Sequence, residues 1–333
     1  MKRQIVFTLI ILIQCLAAVS QSDSLKFGLK GKIIRALGDD PNSTSTFYAG
    51  LKGDLLGTGL IYGSSDYGKT WNALNNGMPL SPYVADIQAI EASKDSRRTI
   101  YAGTWKNGLF KSTDNGKSWT KDKMFPSSDI RSIKVGVQTS NLVYAATSNF
   151  GVVKSIDEGK TWTRCSPTVI DTTFKFAWSI ELDAKNDSIV YAQTFRRGVW
   201  KSIDQGATWK QVLDTKGLTC WDMKTSTHSD KVWLAASKSG DTLSMIYKSI
   251  DKGNTWVGLP NVPQVGVSQI NVIEINNQET LVIGSWKDGV YVYKNNKWAK
   301  INSIDFNTIS EILISDNELL IGSWGNGIYH LKL

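Results

Sequence analysis

The chain has 333 residues, 41% of them hydrophobic, a formal net charge of +8 and three cysteines. Three cysteines are too few for a disulfide framework, so packing has to hold the fold, and the length suffices for a large core in one big domain or two ordinary ones. The basic balance favours acidic partners, or serves only to keep the surface soluble.

In chain order, the first element is a leader. Residues 1–20, MKRQIVFTLIILIQCLAAVS, carry Lys2 and Arg3, then an apolar run from Ile5 to Ile13, then the small-residue exit Ala18, Val19, Ser20. This is the layout of a secretory signal peptide, so export to the periplasm or the cell exterior is expected, with the mature chain starting at Gln21. Gln14 stands where lipid attachment to Cys15 would need a small residue. No later stretch is apolar enough to span a bilayer, and export makes nucleic acid an unexpected partner. Cys165 and Cys220 remain after cleavage.

From residue 21 onward the sequence repeats. SSDYGKTW (64–71), STDNGKSW (112–119), SIDEGKTW (155–162), SIDQGATW (202–209) and SIDKGNTW (249–256) are copies of one octapeptide, and YKNNKW ending at Trp298 is a worn sixth. The tryptophans fall at 71, 119, 162, 209, 256 and 298, a period that suits a four-stranded propeller blade of roughly 40–50 residues. Around each copy an alternating strand such as DIRSIKV precedes an apolar strand such as LVYAATS, a third strand, the octapeptide, and a strand led by its tryptophan. Helical periodicity is missing throughout, so the fold is expected to be all-β.

Seven first strands can be counted: KIIRAL, ADIQAI, DIRSIKV, FAWSIEL, LTCWDMK, SQINVIEI and TISEILIS. The seventh unit ends one strand short at GIYHLKL, and SLKFGLKG near the start of the mature chain can supply it. Residues 21–333 are therefore expected to form a single seven-bladed β-propeller of four-stranded blades, its ring closed by the amino-terminal strand joining the last blade.

The octapeptide falls where a hairpin must reverse between third and fourth strands. Asp66, Asp114, Asp157, Asp204 and Asp251 are expected to accept hydrogen bonds from backbone N–H groups of their own turns, the glycine to take a positive φ, the tryptophan to bury its ring, and the Ser or Thr before it to be less constrained. These copies resemble Asp-box (BNR) repeats, the S-x-D-x-G-x-T-W signature of sialidases, xyloglucanases, sortilin-type receptors and the photosystem II stability and assembly factor family. They cover nearly the whole mature chain. In those families the box is a structural turn remote from the chemistry, which implies that the five aspartates are structural here.

Propeller ligands meet the opposite face, built from the first positions of the innermost strands and the loops between second and third strands. Sequence places Arg35, Gln88, Arg131, Trp178, Trp221, Asn271 and Ser310 at the first positions. From the loops come Trp105 and Lys106, Phe150, Phe195 with Arg196 and Arg197, Trp286 and Lys287, and Trp324. Flat rings stack on sugars or apolar peptide, and guanidinium forks take carboxylates or phosphates. The alternative is that the tryptophans pack on one another and plug the channel mouth.

An enzyme reading fares poorly. A sialidase would need three arginines around a substrate carboxylate, a Tyr–Glu pair and six blades, and an Asp-box xyloglucanase would need two propellers. Asp222 and Glu311, each one residue past a first position, are the best acid–base pair on offer. His228 and His330 have no second metal ligand at useful spacing, so neither a metal site nor a cofactor is expected. The expected function is a monomeric, non-catalytic binding propeller holding an extended acidic or amphipathic polypeptide or glycan, with a glycan-active hydrolase or lyase as the competing class.

Overall fold

The computed structural model describes residues 26–53, 60–79, 86–95, 98–165, 177–238, 242–275, 278–302, 304, 308–315 and 318–332. The leader lies outside them. Every regular element among the described residues is a strand, grouped into seven antiparallel four-stranded sheets. Innermost strands are Ile34–Asp40, Ile87–Ala92, Ile130–Val135, Ala177–Asp183, Thr219–Thr225, Val267–Ile275 and Ile309–Ser315, for blades 1 to 7. The protein is a seven-bladed propeller.

Sequence composition explains the radial order. Second strands such as Val143–Thr147 are buried along their whole length because both faces meet neighbouring blades, so they read as continuous apolar runs. Inner strands such as Ile130–Val135 alternate, one side set between blades and the other towards the central channel. Core clusters accordingly sit between blades: Ala36, Tyr48 and Ile61 of blade 1 pack with Ile87, Ile100 and Phe110 of blade 2. Phenolic hydroxyls add a latch. Tyr48 donates to Asn115 Oδ1 at 2.6 Å, Tyr101 to the Glu158 carbonyl at 2.9 Å and Tyr191 to the Lys252 carbonyl at 2.8 Å, each acceptor lying in the octapeptide of the next blade.

The octapeptide turns are built alike. Asp157 Oδ1 accepts the Thr161 N–H at 2.8 Å, its Oδ2 accepts the Thr161 hydroxyl at 2.6 Å, and Ser155 Oγ accepts the Gly159 N–H at 2.7 Å. Glu158 and Gly159 both take left-handed backbone, with φ of 61° and 76°, as a tight hairpin with two such central residues requires. The expectation that the Ser or Thr is less constrained is corrected here. Its hydroxyl donates to the aspartate in all five copies. Tryptophan rings reach back to the preceding blade: Trp119 Nε1 donates to the Leu74 carbonyl at 2.8 Å and Trp162 Nε1 to Asp122 Oδ2 at 3.0 Å.

Closure follows the sequence expectation. Lys26–Gly28 pairs antiparallel with Ile328–Lys332, Gly28 opposite Ile328. Gly28 is needed there because Trp71 of blade 1 lies against it; a Cβ would stand 2.3 Å from the indole nitrogen.

Candidate functional site

A repeated irregularity builds the channel mouth. In all seven inner strands the ladder slips by one residue near its start, between Ile34 and Ala36, Ile87 and Ala89, Ile130 and Ser132, Ala177 and Ser179, Cys220 and Asp222, Val267 and Gln269, Ile309 and Glu311. A bulge leaves its extra residue unpaired and re-aims the side chain. The bulged residues Arg35, Gln88, Arg131, Trp178, Trp221, Ser268 and Ser310 all line one cavity of about 570 Å³ at the channel. For blade 6 the sequence expectation of Asn271 is corrected to Ser268; Asn271 lies deeper, because the run before Ile270 already begins the strand at Val267.

Rings and cations join in an arc along the wall of that mouth. The Arg131 guanidinium stands 5.5 Å from the Trp105 ring and 4.2 Å from that of Trp178. Trp178 meets Trp221 edge-on at 5.6 Å, and Trp221 meets Trp286 at 5.3 Å. Phe195 leans on Trp178 at 5.4 Å. A separate pair closes the far side, with Arg35 over Trp324 at 4.1 Å. The indoles therefore touch side by side around the wall, and the cavity within stays open. Trp221 is fixed further by Nε1 donating to Ser237 Oγ at 2.7 Å.

Two acids that sequence reading passed over anchor this arc. Asp86 accepts from the Arg35 guanidinium at 3.2 Å and from the Gly53 N–H at 2.9 Å. Asp129 repeats the device one blade on, accepting from Arg131 at 3.1 Å and the Lys106 N–H at 2.9 Å. Both stand two residues before a bulge, in ADIQ and SDIR, and that spacing was the available signal. Their consequence is electrostatic: each inner-strand arginine arrives already matched by a carboxylate. Further out, the loops place Lys106, Arg196, Arg197 and Lys287 at exposed positions.

Phe150 stands apart from the arc. It packs edge-on against Phe125 at 6.0 Å with Arg164 stacked on it at 4.7 Å, toward the outer strands of blade 3. Trp105, Phe195 and Trp324 are each about two-fifths exposed, at 39%, 38% and 40%.

Deeper, the wall is charged. Lys134 pairs with Glu181 at 3.4 Å and Lys224 with Asp222 at 3.2 Å. Asp222 is fully engaged: Oδ1 also accepts the Met223 N–H at 2.9 Å, and Oδ2 accepts the Ile270 N–H at 3.1 Å. Burial, then the Asp222 charge, push the Glu311 carboxyl above the ordinary carboxylate range, against the pull of Lys224. Burial likewise raises Glu91 to about 7, opposed by Lys134. Among the described residues no group of three His, Cys, Asp or Glu side chains is placed to hold a metal ion. Cys165 and Cys220 are both buried free thiols, and His330 pairs with Glu318 in the closing blade.

No family model and no curated protein matches the chain. Solved structures do match. An ancestral GH74 enzyme superposes with a TM-score of 0.74 at 17% identity, over 92% of this chain and 46% of its own. The GH74 xyloglucanase from Xanthomonas campestris gives 0.72 at 14% identity, over 93% of this chain and 53% of its own. YCF48 bound to D1 peptide gives 0.67 at 12% identity, over 93% of this chain and 96% of its own. The chain thus spans about half of each GH74 structure and nearly all of YCF48. At these identities the likeness establishes the fold alone. No helix among the described residues is long and apolar enough to cross a membrane.

Proposed function

We propose that this is an exported, Asp-box-type binding propeller without catalysis, which holds an extended polypeptide or glycan across its channel mouth. The observation that carries the reading is the unbroken arc Trp105, Arg131, Trp178, Trp221, Trp286 around an open cavity. Pre-positioned rings bind flat sugar faces or apolar side chains at little entropic cost. Acidic groups of the partner meet the exposed Lys106, Arg196 and Arg197 on the surrounding loops, because Arg35 and Arg131 are already matched. One structural neighbour is described as holding a peptide and two others as GH74 enzymes, one of them a xyloglucanase, so both partner classes are open to a fold of this kind.

Pull-down from the secreting cell, followed by titration of the recovered partner, tests this. Trp105→Ala combined with Trp286→Ala is expected to weaken retention by a factor of roughly a hundred, at about 1–3 kcal/mol per stacking ring. Asp222→Asn is expected to leave it intact.

A glycan-active enzyme is the second reading, favoured by Glu311, whose raised carboxyl is in the state a general acid needs. Asp222 is a poor base beside it, since Lys224 and two backbone N–H groups already hold its oxygens. New reducing ends released from a polysaccharide panel, and lost in Glu311→Gln, would establish that reading over binding alone.

A further inference from the structure

The channel below the rim is short of positive charge in one sector. Its wall carries the carboxyls of Asp39, Glu91, Glu181, Asp222 and Glu311 against the ammonium groups of Lys134 and Lys224. Glu181 and Asp222 take those two lysines. Glu311 has no cation within ion-pair distance among the described residues, and the Asp222 charge opposes its ionisation against the pull of Lys224, the Ile312 N–H and Lys134.

The rings of the mouth show the same deficit in the same place. Trp105 and Trp178 share Arg131, Trp324 takes Arg35 and Lys52, and Phe195 takes Arg196. Trp221 and Trp286, on blades 5 and 6, carry no cation among the described residues, and Asp222 directly follows Trp221 in the strand. Beside Glu311, the Ser310 hydroxyl is buried, only 8% of the residue being exposed, lines the cavity and has no hydrogen-bond partner among the described residues. A sector with a carboxyl that no described cation pairs directly, an orphaned hydroxyl and two rings that no described cation covers is matched by a group with positive charge, several N–H donors and an alkyl stem.

We infer that this sector takes one primary ammonium group, the side-chain amine of a lysine in the bound polypeptide, held by Glu311 and Ser310 beneath Trp221 and Trp286. The inference rests on the rim reading, since the rim holds the chain that carries the lysine, and it selects polypeptide over glycan. Binding is an exchange. The ammonium enters with its charge, the Glu311 carboxyl releases its proton to solvent, and the net charge of the channel is unchanged.

Titration calorimetry of the full chain with Nα-acetyl-lysine amide, in two buffers of different ionisation heat at neutral pH, tests it. Expected are binding of this probe, release of up to one proton per site, and loss of binding on Nε-acetylation. Glu311→Gln is expected to weaken the probe roughly tenfold, as loss of an ion pair in a partly desolvated site implies. Equal binding of the Nε-acetylated probe, or no proton release, overturns the inference. Glucosamine binding more tightly than the lysine probe overturns the choice of polypeptide. If Glu311→Gln does not fold, the proton count on the unsubstituted protein answers the same question. Failure of the two readings is separable: a partner retained by the rim with no amine binding removes only the inner subsite. Amine binding with no partner retained removes only the rim reading.

Discussion

Four tyrosines occupy one position in the second strands of blades 1 to 4, yet their hydroxyls differ. Tyr48, Tyr101 and Tyr191 each donate to the next blade, while the buried Tyr144 hydroxyl has no partner among the described residues. Removing a made hydrogen bond costs about 1 kcal/mol, and removing a buried unpaired hydroxyl costs nothing or stabilises. Denaturant melts should therefore show Tyr101→Phe and Tyr191→Phe each losing about 1 kcal/mol, with Tyr144→Phe unchanged or more stable. Glu91 carries a second prediction. Its folded-state value of about 7 lies above the ordinary 4.5, so the stability it contributes is full below about pH 4.5 and is lost as pH rises through about 7. Glu91→Gln should be stabilised relative to the parent at pH 8 and matched to it near pH 4, read as the difference in Tm across that range. Sequence pattern placed Glu311 and Asp222 near one another. It gave no sign that Lys224 and two backbone N–H groups hold Asp222, because those contacts come from the ladder slip and from the adjacent blade.

The octapeptide hairpin titrates at the other end of the scale. Hydrogen bonds from the Ser or Thr four residues on hold Asp66, Asp204 and Asp251 at about 2 and draw Asp114 and Asp157 down as well. A carboxylate depressed in the folded state contributes stability that is present above about pH 4 and lost as pH falls towards 2. Acid unfolding should begin in that window, and the double variant Asp157→Asn, Asp204→Asn should lower Tm at pH 7 while flattening the decline below pH 4, followed by circular dichroism. This hairpin was readable in the sequence because its geometry is local: eight residues contain the acceptor, its donors and the two left-handed positions. The bulges were not. Each depends on the pairing of two strands, and alternation of apolar residues continues smoothly through SQINVIEI, which is why Asn271 looked like the mouth residue that Ser268 is. Phe150 keeps the loop position expected from the sequence, and that position says nothing of Phe125 and Arg164 behind it.

For the whole molecule, ring size and closure were legible because each blade repeats one period and the last lacks one strand. Closure rests on a short strand with little room to spare. Gly28→Val would force a side chain into Trp71 and is expected to cost about 1–3 kcal/mol, as overpacking does. Limited proteolysis should then cut near residue 28 faster than in the parent, while blades 3 to 5 stay protected. What the sequence did not reveal is how charge is distributed over the mouth on blade 1, because Asp86 acts across a blade boundary on Arg35, 51 residues away. The sevenfold slip in the inner ladders has an evolutionary corollary. Since the extruded residue of each blade takes no part in strand pairing, a position such as Gln88 can vary in chemistry while the scaffold keeps its shape, so a descendant ring can change what it grips without rebuilding its blades.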